Sequence, residues 1–439
     1  MSPEMLGMLL LVLMVVVILI GFPISFTLLL LALLFGYIGF DERVFFLMVF
    51  QVIGLMKEEV LAAVPLFIFM GFMTEQSGLI ERLFGAFRLL LAPLRGSLYL
   101  GVILTATIFA MATGIVGAAV TVLGIMAAPT MIRSGYDIRL SAGAIAAGGT
   151  LGILIPPSVM LVVMGPVLSV SVVKLYAAAF GPGFLMAFLY ILYCLFMSYK
   201  NPQLGPALPL DERAESTFQV VKAVLVGMVP LSVLILATLG SILGGLATPS
   251  EAAAIGALGA IILALAYGEL TWARFKEAAY KTLQTSSMVL FLAIASNVFG
   301  AVFARLGSAT LLTNTLLALP FSPTVMLIIV MVLLFLLGWP FEWPVIVLVF
   351  LPILFPLLQA MKWDLVWFGV LVAVNMQTAY LSPPVAMSAY YLKSVVPTWE
   401  LKDIYGGMMQ FMIIQVIALI LVILFPQIAM WLPNLIFGP

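Results

Sequence analysis

Four interruptions of an otherwise apolar chain hold the residues that could do chemistry. Two of them, at 113–117 and 338–344, combine glycine with a hydroxyl or carboxyl side chain. The other two, at 148–157 and 375–384, run from small or polar residues into a double proline. Hydroxyls and unwound carbonyls offer neutral oxygens to a hard cation, whereas helix N-termini offer N–H groups to a carboxylate. These residue types therefore predict ion and anion binding.

The candidate binding residues come from all four interruptions. As ligands of an organic anion we predict Thr113, Gly114, Gly149, Thr150, Pro156, Trp339, Gln377, Tyr380, Ser382 and Pro383. As ligands of a cation we predict Thr113, Gly117, Gly152, Gly338, Glu342, Thr378 and Ser382. The competing interpretation is that the small residues only allow helices to pack closely.

Glu342 is the most informative ionisable residue because it lies in the middle of an apolar run. A carboxylate at membrane depth is expensive and usually indicates a functional site. It could ligate a cation, carry a proton or pair within the protein; a plainer alternative is that it reaches water at a hairpin tip. Glu251 instead predicts a helix start, with Thr248 or Ser250 as the cap and Pro249 in the first turn.

The composition places these residues in a membrane protein. Of 439 residues, 65% are hydrophobic and 8% are charged, against roughly 25% charged in soluble domains. Because a helix needs roughly 20 apolar residues to cross the hydrocarbon core, about ten to twelve membrane segments fit. Strand alternation is absent, so the predicted class is an all-α polytopic membrane protein. The N-terminal apolar run lacks a basic region and is interpreted as the first mature helix.

The residues and motifs that the sequence lacks argue against several functional classes. There is no histidine, no G-x-x-x-x-G-K-[ST] phosphate loop and no G-x-S-x-G motif. The single cysteine offers no disulfide or thiolate metal site. Eighteen basic residues balance 18 acidic ones, which gives no support for nucleic-acid binding. We therefore predict that the chain is not an enzyme and carries no cofactor.

An internal repeat relates the interruptions. Residues 129–160 align without gaps to 356–387, at an offset of 227 (356 − 129), and match in both prolines of the double proline and in an aspartate, Asp137 and Asp364. The same offset relates 99–131 to 326–358, each about thirty apolar residues with a central interruption. Each half is therefore predicted to contain a re-entrant helical hairpin and a helix broken by its prolines.

The basic residues predict opposite orientations for the two halves. The base of the first hairpin is flanked by Arg82, Arg88, Arg95, Arg133 and Arg139. The base of the second has only Lys362, so the positive-inside bias indicates an inverted-topology repeat. Broken helices and hairpin tips that meet at mid-membrane are what secondary transporters use as binding sites.

The predicted organisation divides the chain into scaffold and repeats. In order, the intervals are scaffold helices 1–80; repeat 1, 81–199, with hairpin 97–131 and broken helix 137–169; polar linker 200–222; scaffold helices 223–307; repeat 2, 308–397, with hairpin 323–359 and broken helix 364–393; and a C-terminal membrane helix, 398–439.

The motifs resemble those of a known family. LGILIPPS, ATPSEAAA, SPPVAMS, GFPISF and VPLFIFMG make the chain similar to the large, DctM-like membrane subunit of tripartite ATP-independent periplasmic (TRAP) transporters. The resemblance covers nearly the whole chain. Thr113 keeps a hydroxyl of the family's Ser-Gly-Ser type hairpin tip, whereas Val116 departs from it, and Glu342 stands where many members have Asp.

The resemblance implies an elevator-type, Na⁺-coupled importer of a small organic acid in the bacterial inner membrane. It also implies two partners, a small four-helix membrane subunit and a periplasmic binding protein, with Na⁺ as the coupling ion. Two alternatives stay open from the residues alone: a stand-alone Na⁺- or H⁺-coupled carboxylate carrier, and the permease of an ATP-driven importer. A third, an intramembrane enzyme, lacks an evident nucleophile–base pair.

Overall fold

In a computed structural model, the chain is a bundle of helices joined by short turns. The structure describes residues 2–438, apart from the side chains of Ala112 and Thr113. The α-helices are α1 (Pro3–Leu19), α2 (Ile24–Phe40), α3 (Arg43–Met56), α4 (Ala63–Gln76), α5 (Leu79–Leu91), α6 (Ser97–Thr113), α7 (Val116–Arg133), α8 (Ile138–Thr150), α9 (Val159–Leu168), α10 (Val172–Lys200), α11 (Thr217–Gly227), α12 (Val229–Leu243), α13 (Pro249–Ala266), α14 (Trp272–Arg305), α15 (Ser308–Leu317), α16 (Pro323–Leu337), α17 (Trp343–Val345), α18 (Leu351–Ala360), α19 (Leu365–Leu381), α20 (Met387–Val395), α21 (Leu401–Leu424) and α22 (Gln427–Phe437).

The described part of the chain contains no strand, which confirms the all-α prediction. Within it, eight helical stretches are long and apolar enough to cross a membrane, and the other apolar helices are shorter. The outgoing arms of the two hairpins, α6 and α16, are among the shorter helices, whereas the return arms, Val116–Arg133 and Trp343–Ala360, are among the eight.

The repeat extends well beyond the segments that align in sequence. At the same offset, α1 to α10 correspond in order to α12 to α21, with α3 and α4 matching the two parts of the single helix α14. The broken helices start alike: Asp137 and Asp364 each accept a hydrogen bond from a backbone N–H three residues on, at 2.8 and 2.9 Å. Such N-caps stabilise a helix start by about 1 kcal/mol.

The helices form two packed groups. The scaffold group contains α1 to α4 and α12 to α14, in which α4 packs on α13 and α14. The core group contains both hairpins, α6–α7 and α16–α18, both broken helices, α8–α9 and α19–α20, and the long helices α10 and α21. Each broken helix packs on the long helix of the other repeat, α8 on α21 and α19 on α10. This exchange joins the two repeats into one body.

The contact between α8 and α21 depends on glycine. A Cβ at Gly407 would lie 1.9 Å from the carbonyl oxygen of Arg139, and one at Gly143 would lie 2.4 Å from the ring of Phe411. The two backbones therefore approach as closely as small residues allow in membrane helices.

The polar segment after α10 folds over the base of the first hairpin as a strap, defined here as residues 201–216. Tyr99 and Tyr136 donate hydrogen bonds to the carbonyls of Leu204 and Pro206, at 2.5 and 2.8 Å. Further along, Glu212 accepts from Arg88 of α5 at 2.9 Å. The strap thus contacts both the core and α5, whereas the sequence predicted only a polar linker, 200–222.

Two local predictions were tested at helix ends. Thr248 and Glu251 form the capping box that starts α13, as the sequence indicated, with the Thr248 N–H donating to Glu251 at 2.8 Å. The interval 398–439, predicted to hold a C-terminal membrane helix, contains one candidate membrane span, α21, which ends at Leu424, and then the short helix α22, which starts at Gln427. Pro426 explains the break, since a proline disfavours helical geometry at the residue before it.

Candidate substrate and ion site

Both hairpin tips and parts of both broken helices meet at one cavity of about 110 Å³, called here the central cavity. The core contributes Gly114, Ile115, Val116, Gly117, Val159, Glu342, Trp343, Pro344, Tyr380 and Tyr391. The scaffold closes the other side with Ile68 of α4 and Thr285, Met288 and Val289 of α14. The cavity therefore lies at the boundary between the two helix groups.

A second cavity, of about 190 Å³, lies between the second hairpin tip and the second broken helix. It shares Glu342, Trp343 and Tyr380 with the central cavity. Gly338 and Trp339 line it from the tip. Glu342 is thus the charged residue that both cavities share.

The first tip rests on the first break. Gly114 has φ +61°, a left-handed conformation that a residue with a Cβ adopts only at a cost. Its Cβ position lies 3.4 Å from the backbone N of Val159 and 3.8 Å from the carbonyl oxygen of Gly152. The tip therefore brings three predicted or adjoining positions of the first repeat into contact.

The second tip is bound to the second break by a side-chain hydrogen bond. The indole N–H of Trp339 donates to Oγ of Ser382 at 2.9 Å. Gly338 lets the tip lie on α19, since a Cβ there would be 2.5 Å from the Cβ of Ala379. Three predicted residues of the second repeat thus act together at this contact.

Four helices begin at the two cavities, and their starts differ from those of α8 and α19. The helices α7, α9, α17 and α20 have no side-chain hydrogen bond from their N-cap residues. The N-cap of α9, Ser158, donates its hydroxyl to the carbonyl of Ile153 at 2.6 Å instead. Uncapped starts present N–H donors and partial positive charge to whatever occupies the cavity.

Charge at the site comes from a single acid. Within the described residues, the linings of the two cavities contain Glu342 and no lysine or arginine. The Glu342 side chain is exposed to the cavities, and no ion-pair or hydrogen-bond partner for it occurs in that part of the chain. An unpaired carboxylate at this depth suits a bound cation or proton.

Thr150 and Gln377 occupy equivalent positions of the two repeats and bind each other. Oγ1 of Thr150 and Oε1 of Gln377 are 3.0 Å apart, and Nε2 of Gln415 lies 3.3 Å from the same Oγ1. All three side chains are fully buried, and none of them lines either cavity. The pair joins the repeats at the centre of the core group.

The remaining predicted residues lie around the breaks. Gly149 packs on α7, where its Cβ position is 3.0 Å from the backbone N of Val120. Thr378 donates to the carbonyl of Asn375 at 2.6 Å. Pro156 is buried and Pro383 half-buried, each in a cis double-proline bond. The side chain of Thr113 lies outside the described residues.

The scaffold wall and Tyr391 were missed by the sequence reasoning. Met288 and Val289 look like ordinary apolar residues of a long helix, and only Thr285 carries a polar group that could have drawn attention. Tyr391 packs its ring on Gly117, whose Cβ position is 3.1 Å from the ring. Its location follows from the fold of α20 and not from a local pattern.

Comparisons with known proteins agree over nearly the whole chain. A family model described as "Tripartite ATP-independent periplasmic transporter, DctM component" matches residues 11–428. The sialic acid TRAP transporter large permease protein SiaM of Vibrio cholerae is 30% identical over 419 residues, covering 95% of this chain and 96% of that protein. The C4-dicarboxylate TRAP transporter large permease protein DctM of Pseudomonas aeruginosa is 28% identical, covering 85% and 86%.

Two solved structures share the fold. The YdaH transporter of Alcanivorax borkumensis superimposes with a TM-score of 0.62 at 16% identity, covering 96% of this chain and 98% of that one. MtrF of Neisseria gonorrhoeae gives 0.61 at 13% identity, covering 98% and 95%. These two likenesses show that the chain shares their fold.

These matches confirm that the chain is a transporter permease of the inner membrane and not an enzyme. The family model spans both hairpins and both broken helices. The site described above therefore lies within the part of the chain that the family model matches. The chain belongs to the DctM family, the large permease component of tripartite ATP-independent periplasmic transporters.

Proposed function

We propose that this permease imports a small organic acid by coupling it to Na⁺, with substrate delivered by a periplasmic binding protein. The observation that carries the proposal is the convergence of two hairpin tips and two broken helices on cavities that contain uncapped helix starts and one unpaired acid. The names of the relatives support the substrate class, since they specify sialic acid and a C4-dicarboxylate.

The substrate carboxylate is assigned to the first repeat. The starts of α7 and α9 face the central cavity at Val116, Gly117 and Val159. Their first N–H groups have no side-chain acceptor from the N-cap residues. A carboxylate accepting from two such starts gains charge-assisted hydrogen bonds without a basic side chain.

The cation is assigned to the neighbourhood of Glu342. Its carboxylate supplies the negative charge, and Ser382 and Gly338 lie beside the same tip. Among the residues predicted from the sequence, Gly152 and Gly117 remain candidates for oxygen ligands from the first repeat. Bound Na⁺ would also neutralise Glu342, which otherwise repels an anionic substrate in the adjoining cavity.

The movement is assigned to the core group sliding against the scaffold. The core is joined internally through the exchanged packing of α8 on α21 and α19 on α10, whereas the central cavity lies at its boundary with α4 and α14. A rigid core that carries the site past a fixed scaffold is the elevator mechanism. Closure around the site requires both ligands, which couples the two fluxes.

The test is uptake by proteoliposomes that contain the permease and its small membrane subunit, with the binding protein outside. Isotope-labelled sialic acid and succinate serve as probes. An inward Na⁺ gradient should drive accumulation without ATP, and dissipating the gradient should stop it. Uptake that ignores Na⁺, or that requires ATP, contradicts the proposed coupling; uptake without the binding protein contradicts the tripartite part alone.

A further inference from the structure

A groove away from the two cavities lies between the short helix α5 and helix α11. Its volume is about 350 Å³, and its lining is largely apolar. The α11 helix forms the first part of a candidate membrane span, Thr217–Leu243. Leu90 and Leu225, which lie next to lining residues in the chain, are 46% and 56% exposed, as expected for helices that face lipid.

Two glycines define the shape of the groove. Gly227 lets α11 approach α5, because a Cβ there would be 2.5 Å from the carbonyl oxygen of Arg82. Gly85 shows the opposite situation, since no atom lies within 4 Å of its Cβ position. The space beside Gly85 is therefore the open floor of the groove, and its walls are fixed by the close contact of the two helices.

Arg82 lies at the edge of this groove with its hydrogen-bonding groups free. The guanidinium carbon is 4.8 Å from the ring centroid of Tyr267, whose hydroxyl donates to the carbonyl of Val226 at 2.5 Å. Stacking uses the face of the guanidinium and leaves its N–H edge available. In the described part of the chain, no carboxylate or other acceptor bonds to that edge.

The other charged residue of the lining is already neutralised. Arg88 forms an ion pair with Glu212 of the strap at 2.9 Å. Glu81 neighbours Arg82 in the chain, but adjacent residues of a helix do not face each other. Arg82 therefore provides an accessible positive charge at the edge of the largely apolar groove.

We propose that this groove binds one anionic phospholipid, with an acyl chain between α5 and α11 and the phosphate on the free edge of Arg82. A flexible chain suits the largely apolar floor, and a phosphate suits a stacked guanidinium. The positive-inside bias places this end of the protein at the cytoplasmic leaflet, where anionic lipids are found.

The position of the groove gives the lipid a role beyond the proposed transport site. The α5 helix connects scaffold helix α4 to the first hairpin, and α11 connects the strap to scaffold helix α12. On the proposed function, a lipid between them lies between two connections that link the scaffold to the moving core. Binding should therefore alter the rate of the movement and leave the cavities unchanged.

The test is native mass spectrometry of the detergent-purified permease, titrated with phosphatidylglycerol or phosphatidylcholine. We expect wild type to prefer phosphatidylglycerol by about fivefold, the factor for one basic residue at an anionic surface. Arg82→Gln should remove that preference and retain weak binding of both lipids. Gly85→Leu should fill the floor without displacing protein atoms and reduce binding of both.

Matched variants and folding measurements keep the test decisive. Arg95, which lies over the ring of Tyr199 at 5.9 Å outside the groove, provides the control Arg95→Gln, and binding there should match wild type. Thermal unfolding shows whether each variant folds. If Gly85→Leu does not fold, the lipid preference of Arg82→Gln alone decides the test. Equal binding of the two lipids by wild type, or wild-type binding by Gly85→Leu, overturns the proposal. So does loss of bound lipid when the small membrane subunit is added, because the groove would then be a protein interface.

Discussion

The two hairpin tips occupy equivalent positions of the repeat but are built differently. The first turns within two residues, Gly114 and Ile115, and then begins a regular helix, α7. The second takes five residues, 338–342, and its return arm starts with Trp343-Pro344 and contains a π-helical segment, Ile346–Phe350. Pro352 follows that segment, and a proline in a helix interior disturbs the preceding turn.

Under the proposed function, this difference separates the two kinds of ligand. At the first tip, consecutive backbone N–H groups open a helix and suit an anion. At the second, Pro344 contributes no N–H, and Glu342 and the Trp339 indole provide the chemistry instead. The repeated fold of the core thus holds an asymmetric site, as the proposed import of two unlike ions requires. The following predictions test that division.

The largest effect is expected at Glu342. Glu342→Gln keeps the shape of the side chain and removes its charge, so Na⁺-driven uptake should fall about 10- to 100-fold, as for loss of a hydrogen bond or contact to a charged group. The measurement is uptake in proteoliposomes against Na⁺ concentration. Glu251→Gln is the matched control, since that acid only caps α13. Full uptake with unchanged Na⁺ dependence in Glu342→Gln would show that the acid takes no part in coupling.

Replacing the glycines of the two tips by alanine should lower uptake for different reasons. Gly114→Ala places a Cβ in left-handed backbone, at a cost of about 1–2 kcal/mol, and should lower uptake about tenfold. Gly338→Ala should lower it through contact, because the new Cβ would lie 2.5 Å from that of Ala379. Uptake and thermal unfolding are measured for both.

Compensating substitutions distinguish the two causes. Adding Ala379→Gly to Gly338→Ala makes room and should restore most of the uptake. Adding Val159→Ala to Gly114→Ala should restore nothing, because the 3.4 Å contact there is an ordinary one. Rescue of both pairs would mean that the first tip is also limited by packing, and the proposed distinction would be lost.

A smaller effect, on stability, is expected where the repeats meet. Thr150→Val keeps the side-chain volume but leaves Gln377 and Gln415 without their shared partner, which should cost about 1–3 kcal/mol. The double variant Thr150→Val with Gln377→Leu should cost less than the sum of the single changes. The reason is that the Gln377 amide, which Thr150→Val alone leaves unpaired, is then absent. The midpoint of thermal unfolding in detergent is the measurement. Simple additivity would show that the 3.0 Å contact contributes no coupling.

The repeat, the hairpins and the breaks could be predicted because they depend on the chain itself. Prolines interrupt helices wherever they occur, and Asp137 and Asp364 mark equivalent helix starts in sequence and structure alike. The more distant correspondence of α1–α5 with α12–α15 could not be predicted, because apolar lipid-facing residues exchange freely and retain no identity.

The direction of each side chain was the part that the sequence did not determine. Thr150 and Gln377 look like ligands because they are polar residues beside a break, yet they face each other across the core. The rotation of a helix about its axis depends on which neighbours it packs against, and some of those neighbours belong to the other repeat. For the same reason Met288 and Tyr391, which line the central cavity, showed no local signal.

The smallest effect concerns the matched caps at the outer ends of the broken helices. Asp137→Ala and Asp364→Ala should each cost about 1 kcal/mol by thermal unfolding, because each removes one cap. The backbone N–H of Asp137 also donates to the strap carbonyl of Leu204 at 3.0 Å, but this bond does not involve the carboxylate. Equal costs are therefore expected despite the strap. A clearly larger cost for Asp137→Ala would show that the strap depends on that carboxylate, and the repeats would then differ at their outer ends as well as at their tips.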